Sequence, residues 1–313
     1  MARARNRGRQ VNGILILDKP VGLTSNQALQ QVKRLFVAAK AGHTGSLDPL
    51  ATGVLPICFG EATKFTQFLL EADKVYRSTV RFGEATNTGD ADGEVIAQRS
   101  AAALTEQQVE GALSGFRGEI QQVPSMFSAL KQGGQPLYKL ARQGIEVERE
   151  ARTVTVHEFN LLAFRPGELA EADVEISCTK GTYVRTLAED LGTLLGCGAH
   201  VRQLRRTQAG PFAESDAVTL AQLEGLREAR RAEELDFLLR PVDAAVSDLD
   251  AVELPVNMAW YFRRGQAVMA TEVYRHGTEG DIVRIFEAGG PFLGVGEVLD
   301  DGRVKPRRLV VSA

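Results

Sequence analysis

Residues 42–53 read GHTGSLDPLATG, a short segment that mixes glycine, hydroxyl, imidazole and carboxylate groups. Its three glycines lack a Cβ, so the backbone can pass close to a ligand. Asp48 on such a glycine-supported loop can act as a nucleophile or a general base. Asp48 also precedes Pro49, however, and aspartate before proline is common in ordinary turns. The residue types alone leave a catalytic and a structural role open for Asp48.

The same segment lacks the signatures of familiar cofactor sites. No lysine stands where a GxxxxGK[ST] phosphate loop needs one, and GxGxxG is absent. His43 and Asp48 have no matching third ligand, which disfavours metal binding. The three cysteines lie far apart without a CxxC spacing, which disfavours a zinc site and a disulfide framework. We therefore expect no metal and no cofactor.

Strand and helix signals lie on both sides of this segment. GILIL at 13–17 reads as a buried strand, and Thr24 with Gln27 three residues later predicts a capping box. Thr182 is predicted to cap a second helix that ends at Gly196. The combination predicts a mixed α+β fold. Further strands are predicted over residues 75–82, 152–164 and 172–178.

The length of 313 residues suggests one large domain or about two. Residues 1–10 alternate arginine with small or polar residues and read as a disordered basic arm. At the other end of the sequence, residues 251–313 contain short apolar segments divided by glycine and aspartate. This pattern predicts a small β-rich, barrel-like module. A catalytic body is therefore predicted over 11–250.

The formal net charge of −3 argues, on its face, against a nucleic-acid partner, but the charge is uneven. Residues 1–70 carry nine basic and three acidic side chains, a net +6, and residues 176–212 carry a net +3. Residues 213–253 carry a net −7. One face can therefore bind a polyanion, although random surface charge gives the same pattern. The chain has neither a secretory signal nor an apolar run of roughly 20 residues, and its cysteines fit a reducing compartment, so a cytoplasmic protein is expected.

Two other segments carry candidate binding groups. In CTKGTYVR at 178–185, Tyr183 and Arg185 lie near the predicted helix start. The guanidinium of Arg185 can hold a carboxylate or a phosphate, and Tyr183 can cover a base or pack in the core. HVRQLRRT at 200–207 has three arginines, which suit either phosphate contacts or a solvated face. The residue types likewise leave the role of Tyr76, on its predicted strand, undecided.

Five segments, in this order, resemble the motifs of the bacterial tRNA pseudouridine-55 synthases, the TruB family. The 42–65 segment is the most specific, and the resemblance covers nearly the whole chain from about residue 11. Ser46 departs from a frequent threonine but keeps the hydroxyl, and the C-terminal region matches only loosely. The resemblance implies a mixed, largely antiparallel central sheet flanked by helices, with a small C-terminal PUA-like module that binds RNA. The segments are LDKPVGLTSNQ (17–27), GHTGSLDPLATGVLPICFGEATKF (42–65), the strand around Tyr76, CTKGTYVRTLAEDLG (178–192) and HVRQLRRTQAGPF (200–212).

The resemblance also implies roles for individual residues. Asp48 matches the catalytic aspartate, and Arg185 matches its partner, which would keep Asp48 ionised by lowering its pKa. The other implied roles are T-loop holding for His43, contact with the target nucleotide for Tyr76 and Tyr183, the uracil pocket for Leu204, and support of the catalytic loop for Lys19 and Pro20. Tyr76 is also a candidate for proton transfer.

The implied activity is the isomerisation of uridine 55 in the tRNA T loop to pseudouridine. Uracil leaves through N1 and rejoins through C5 without redox change, which needs no cofactor. The base must first be extruded, and three actions of Asp48 stay open: attack at C6, attack at C1′ or deprotonation of C2′. We expect the tRNA T stem-loop as partner, no membrane, no obligatory protein partner and a monomer. The alternatives are a tRNA-binding or folding protein with secondary isomerase activity, and a synthase in a guide-RNA complex.

Overall fold

A computed structural model describes residues 8–270 and 277–311 of the chain. No helix within these described ranges is long and apolar enough to cross a membrane. The first strands are β1 (Gly13–Lys19), β2 (Ala41–His43), β3 (Thr52–Phe59), β4 (Lys74–Phe82), β5 (Glu84–Thr86), β6 (Val95–Gln98) and β7 (Gly118–Gln122). They are followed by β8 (Lys131–Gln132), β9 (Gln135–Pro136), β10 (Arg152–Arg165), β11 (Glu171–Cys178), β12 (Ala199–Ala209), β13 (Phe212–Ala213) and β14 (Val218–Thr219).

The helices of the same part are α1 (Ser25–Leu35), α2 (Thr66–Glu71), α3 (Glu106–Ser114), α4 (Leu137–Ala141), α5 (Val184–Leu194) and α6 (Leu220–Ala229). The C-terminal part consists of β15 (Ala251–Leu254), α7 (Val256–Phe262), β16 (Val268–Met269), β17 (Ile282–Glu287), β18 (Phe292–Val298) and β19 (Arg303–Leu309). Short 3-10 turns connect several of these elements.

A large mixed sheet forms the centre of the molecule. Its main path runs β14-β1-β3-β12-β4-β11-β10-β7, with β2 beside β3 and β13 beside β12. The pairs β1–β14 and β3–β12 are parallel, and the other neighbours are antiparallel. A second sheet has the order β15-β17-β18-β19-β16. The two sheets and their helices confirm the predicted α+β class, with a largely antiparallel central sheet and a small C-terminal β module.

The helix starts agree only partly with the sequence. Thr24 and Gln27 form the predicted capping box of α1, because each side chain bonds to the backbone of the other residue. The predicted cap of α5 by Thr182 is wrong. The hydroxyl of Thr182 donates to the carbonyl of Thr179 at 2.9 Å, and Tyr183 is the N-cap residue, without a side-chain capping bond.

The C-terminal sheet shares a hydrophobic core with the large one. The rings of Phe65 and Phe292 have their centroids 5.5 Å apart. Val295 is fully buried in the same hydrophobic cluster as Phe65. The Nζ of Lys64 donates to the carbonyl of Leu309 at 3.0 Å. Burial of these side chains between the two parts stabilises both of them.

Residues 1–7 of the predicted basic arm lie outside the described residues. Arg9 is anchored, since its Nη2 lies 2.6 Å from the Oδ2 of Asp236 and its backbone N–H donates to the carbonyl of Val37 at 2.7 Å. The prediction of disorder through residue 10 is therefore wrong for its last part.

Candidate active site

The loop between β2 and β3 carries Asp48 and is fixed from the start of α1. The hydroxyl of Ser25 donates to the carbonyl of Leu47 at 3.1 Å and accepts from the Leu47 N–H at 2.7 Å. The N–H of Gly22 donates to the carbonyl of Pro49 at 2.8 Å. The residues on both sides of Asp48 are thus tied to the same neighbouring segment, which holds this carboxylate in place.

Asp48 faces a cavity of about 280 Å³ between this loop, β4, β12 and the start of α5. Polar and apolar side chains both line it, as expected for a site that orients a ring with a few polar groups. The structure brings five of the eight predicted site residues to this cavity: Asp48, Tyr76, Tyr183, Arg185 and Leu204. The other three, Lys19, Pro20 and His43, lie outside its lining.

Arg185 makes the closest charged contact with Asp48. Its Nε lies 2.9 Å from the Oδ2 of Asp48, and the arginine side chain is 5% exposed. Its Nη1 donates to the carbonyl of Thr88 at 2.8 Å and its Nη2 to that of Phe127 at 3.0 Å. Each nitrogen therefore has an acceptor, so the guanidinium is fixed in position.

The pKa of Asp48 depends on burial as well as on the charges around it. Burial raises the pKa of Asp48 above its ordinary value, while the nearby Arg185 opposes that rise and Asp90 adds to it. The predicted effect of Arg185 on the pKa of Asp48 therefore has the right sign, but burial outweighs it and the net shift is upward. A carboxylate with a raised pKa is a stronger base when ionised.

Asp90 is a buried carboxylate that no motif of the sequence singled out. Its Oδ2 lies 3.7 Å from the Nε of Arg185. Its Oδ1 accepts from the hydroxyl of Thr88 at 2.6 Å and from the N–H of Asp92 at 3.2 Å. Arg185 thus lies between two carboxylates, and only Asp48 lines the cavity.

Lys19 is fully buried near Asp48. Its Nζ donates to the carbonyls of Pro20 at 2.9 Å and Leu23 at 2.7 Å, which ties the turn before α1 together. Burial lowers the pKa of Lys19 to about 8, and the nearby Asp48 works against that shift. The hydrogen bonds of Lys19 hold the turn before α1, and its charge interacts with Asp48. Both observations fit a role in supporting the loop that carries Asp48.

Arg206 is a buried part of the site, so neither a surface phosphate contact nor a solvated face, the two interpretations of this segment, applies to it. It is 1% exposed, and its Nε donates to the carbonyl of Val54 at 2.7 Å. Its Nη2 donates to the carbonyl of Gly45 at 3.1 Å. The nearby guanidinium also lowers the pKa of the Tyr76 phenol, against the effect of burial. Because Arg206 is enclosed, it is not available to a phosphate at the surface.

The other two arginines of this strand are paired with carboxylates. Arg205 makes a two-pronged contact with Asp18, at 2.9 and 3.0 Å, and its Nε contacts Glu214 at 2.9 Å. Arg202 contacts Glu171. A phosphate would have to compete with these carboxylates, which weakens the interpretation of the segment as a phosphate-binding surface.

Two tyrosines, a leucine and a lysine also form part of the cavity wall. Burial raises the pKa of both Tyr76 and Tyr183, so the two phenols stay protonated at neutral pH. Leu204 is 8% exposed and supplies apolar wall. Lys74, which sequence reasoning missed, lines the cavity, and its Nζ donates to backbone carbonyls that include Leu70 at 2.7 Å. Its position two residues before Tyr76 was the available signal.

His43 lies on β2, opposite Ile57 of β3. Its Nδ1 is buried and has no hydrogen-bond partner within the described part of the chain. Burial lowers the pKa of His43, and Arg206 lowers it further. The imidazole is therefore neutral at physiological pH, at the start of the loop that carries Asp48 but outside the cavity lining.

Known proteins are similar to this chain in sequence and in fold. A model of the TruB family pseudouridylate synthase N-terminal domain matches residues 33–184. tRNA pseudouridine synthase B of Saccharophagus degradans is 59% identical over 310 residues, which is 99% of each protein. The chain belongs to the TruB family. This confirms the family predicted from the motifs and makes the chain a pseudouridine synthase.

Further TruB matches extend over the whole chain. Models described as tRNA pseudouridylate synthase B C-terminal domain and pseudouridine synthase II TruB, C-terminal, match residues 185–247 and 251–310. tRNA pseudouridine synthase B of Pseudomonas aeruginosa is 54% identical over 100% of both chains. The protein of that name from Yersinia pestis is 52% identical over 100% of this chain and 96% of its own.

Solved structures share the TruB fold at lower identity. A Cbf5–Nop10–Gar1 complex matches with a TM-score of 0.70 and 25% identity, over 99% of this chain and 87% of that chain. An H/ACA RNP bound to a substrate RNA containing 2′-deoxyuridine matches with a TM-score of 0.71 and 21% identity, over 99% and 92%. The second likeness is one of fold alone.

Proposed function

We propose that the cavity at Asp48 receives uridine 55 of the tRNA T loop and that Asp48 drives its isomerisation to pseudouridine. The observation that carries this is a carboxylate with a raised pKa, 2.9 Å from a fixed guanidinium, in a cavity with aromatic and apolar walls. The full-length relatives named tRNA pseudouridine synthase B support tRNA as the substrate.

The isomerisation requires only a few protein groups. The bond between N1 and C1′ breaks, a bond between C5 and C1′ forms, C5 loses its proton, and N1 gains one. Asp48 supplies the nucleophile or base, and the protonated Tyr76 beside it is available for proton transfer.

Extrusion of the base from the T loop costs a few kcal/mol. Tyr76, Tyr183 and Leu204 line the cavity and offer faces to a planar ring. Stacking on such groups returns about 1–3 kcal/mol per base, which offsets most of the extrusion cost.

The residues outside the cavity have supporting roles in this proposal. His43 holds the opened T loop from β2, and Lys19 with Pro20 braces the loop that carries Asp48. The body over 11–250 performs the chemistry, and the PUA-like module over 251–313 binds RNA. The protein acts as a cytoplasmic monomer without an obligatory protein partner.

A T stem-loop transcript tests the proposal. We expect pseudouridine at position 55 after incubation with the protein alone, and none in a matched transcript with cytidine at that position. Nucleoside analysis of the digested RNA gives the product and its position. Tight binding without product would favour the alternative of a tRNA-binding or folding protein, and product at another position would contradict the assignment of uridine 55.

A further inference from the structure

Gln122, the last residue of β7, holds the backbone of Tyr183 with its side-chain amide. Its Oε1 accepts from the N–H of Tyr183 at 2.8 Å, and its Nε2 donates to the carbonyl of Tyr183 at 3.0 Å. Gln122 is 2% exposed. One buried amide thus satisfies both polar groups of a backbone unit 61 residues away along the chain.

Tyr183 is the point at which α5 begins. It is the N-cap residue, it lacks a side-chain capping bond, and its carbonyl also accepts the first helical bond from the N–H of Leu187 at 3.2 Å. The clamp from Gln122 therefore fixes the position and direction of the first turn of α5. Arg185 lies in that turn, two residues after the clamped one.

The stretch just after Gln122 contacts the same turn a second time. The carbonyl of Phe127 accepts from the Nη2 of Arg185 at 3.0 Å. The end of β7 and the residues after it thus hold both the aromatic and the cationic wall of the cavity. A methionine could fill the space of Gln122 equally well, but it could neither accept nor donate these bonds.

We propose that Gln122 is a positioning residue for the isomerisation: its amide sets Tyr183 and, through the first turn of α5, sets Arg185 against Asp48. The inference rests on the proposed function of the cavity. Gln122 itself does not line the cavity, and its side-chain hydrogen bonds go to Tyr183 rather than to Asp48.

Two substitutions that keep the size of the side chain distinguish hydrogen bonding to Tyr183 from mere packing by Gln122. An ionised glutamate in Gln122→Glu accepts from the Tyr183 N–H but repels its carbonyl, whereas a protonated one restores the donor. Burial favours the protonated form, so restoration falls within a measurable pH range. Gln122→Met lacks the bonds at every pH.

The measurement is the single-turnover rate of pseudouridine formation in a T stem-loop between pH 6 and 8.5, divided by the wild-type rate at each pH. We expect Gln122→Glu to be about tenfold slow at pH 8.5, the factor of one lost hydrogen bond, and Gln122→Met, which loses both bonds, to be slowed at least as much. The ratio for Gln122→Glu should rise at least about threefold by pH 6 as the carboxyl protonates, while that for Gln122→Met stays flat. RNA affinity should stay within about threefold in both.

Gln121→Glu is the matched control, because it places the same charge on the exposed neighbouring residue. It should turn over like wild type at every pH. Wild-type turnover in Gln122→Met, or a flat ratio in Gln122→Glu, would overturn the proposal, and so would failure of both variants to fold, since the role would then be structural. Absence of product in the wild type would instead refute the function of the cavity.

Discussion

The Nε of Arg185 and the Oδ2 of Asp48 lie 2.9 Å apart, and the arginine cannot leave this contact easily. Its other two nitrogens donate to the carbonyls of Thr88 and Phe127, which belong to separate loops. Asp48 itself is 42% exposed toward the cavity. The pair therefore presents a carboxylate in a fixed orientation with one edge open to a substrate, which is the preorganisation that catalysis requires.

The activity should fall in acid at a higher pH than an ordinary aspartate would give. The carboxylate form is the active one, so activity is lost as the pH falls through the pKa of Asp48, which burial raises. Because Arg185 lowers that pKa, Arg185→Met should move the acid limb of the single-turnover rate to still higher pH. A limb that stays in place or moves to lower pH would contradict the pairing.

Arg206→Met should destabilise the protein without changing the salt dependence of tRNA binding. It leaves the carbonyls of Val54 and Gly45 without their donors, at a cost of about 1–3 kcal/mol of unfolding free energy. Denaturant unfolding and a salt titration of the binding constant check the two parts. Arg205→Ala, at a half-buried surface pair, should cost at most about 1 kcal/mol. A salt slope reduced by about one in Arg206→Met would place this residue on the RNA.

Gly53→Ala should be severely destabilising. Gly53 has φ +98°, and an added Cβ would lie 2.2 Å from the carbonyl oxygen of Arg206. Gly265 has φ +84° with nothing within 4 Å of an added Cβ, so Gly265→Ala isolates the backbone cost of about 1 kcal/mol. Gly53→Ala should lower the unfolding free energy by about 2 kcal/mol more than this control. Equal losses of unfolding free energy in the two variants would show that β3 and β12 can move apart to accommodate the added Cβ.

Removal of residues 251–313 should destabilise the catalytic body as well as weaken tRNA binding. The cut exposes Phe65, which packs on Phe292 in a shared hydrophobic cluster. Phe292→Ala in the full chain should already lower the unfolding free energy by about 2 kcal/mol. Thermal unfolding of both variants checks this, and a truncated body as stable as the full chain would show that the shared core contributes nothing.

Local patterns predicted the elements and much of the site. Local sequence patterns identified β1, β4, β10, β11 and the start of α1: a continuous apolar run predicted β1, and a capping box predicted the start of α1. Such signals depend only on nearby residues. The resemblance brought Asp48, Tyr76, Tyr183, Arg185 and Leu204 together, and the structure places all of them at one cavity. The segment 42–53, read as a loop, is shorter as a loop than its sequence suggests, since β2 ends at His43 and β3 begins at Thr52.

What escaped prediction depends on contacts between distant segments. Arg202, Arg205 and Arg206 look alike in sequence, and only the irregular register of β12 against β4 decides that Arg206 faces inward. Asp90 and Gln122 reach the site from loops and strand ends far along the chain. The net shift in the pKa of Asp48 is a balance between burial and Arg185, which a sequence does not contain.

The central claim is that Asp48 performs the isomerisation of uridine 55. The most direct measurement compares wild type with Asp48→Asn on the same T stem-loop and reads both pseudouridine formation and RNA affinity. Asparagine keeps the size of the side chain and can still accept from Arg185, but it has no carboxylate. We predict that Asp48→Asn gives no pseudouridine while its affinity for the RNA stays within about threefold of wild type. Pseudouridine formation at a near wild-type rate in Asp48→Asn would contradict the account.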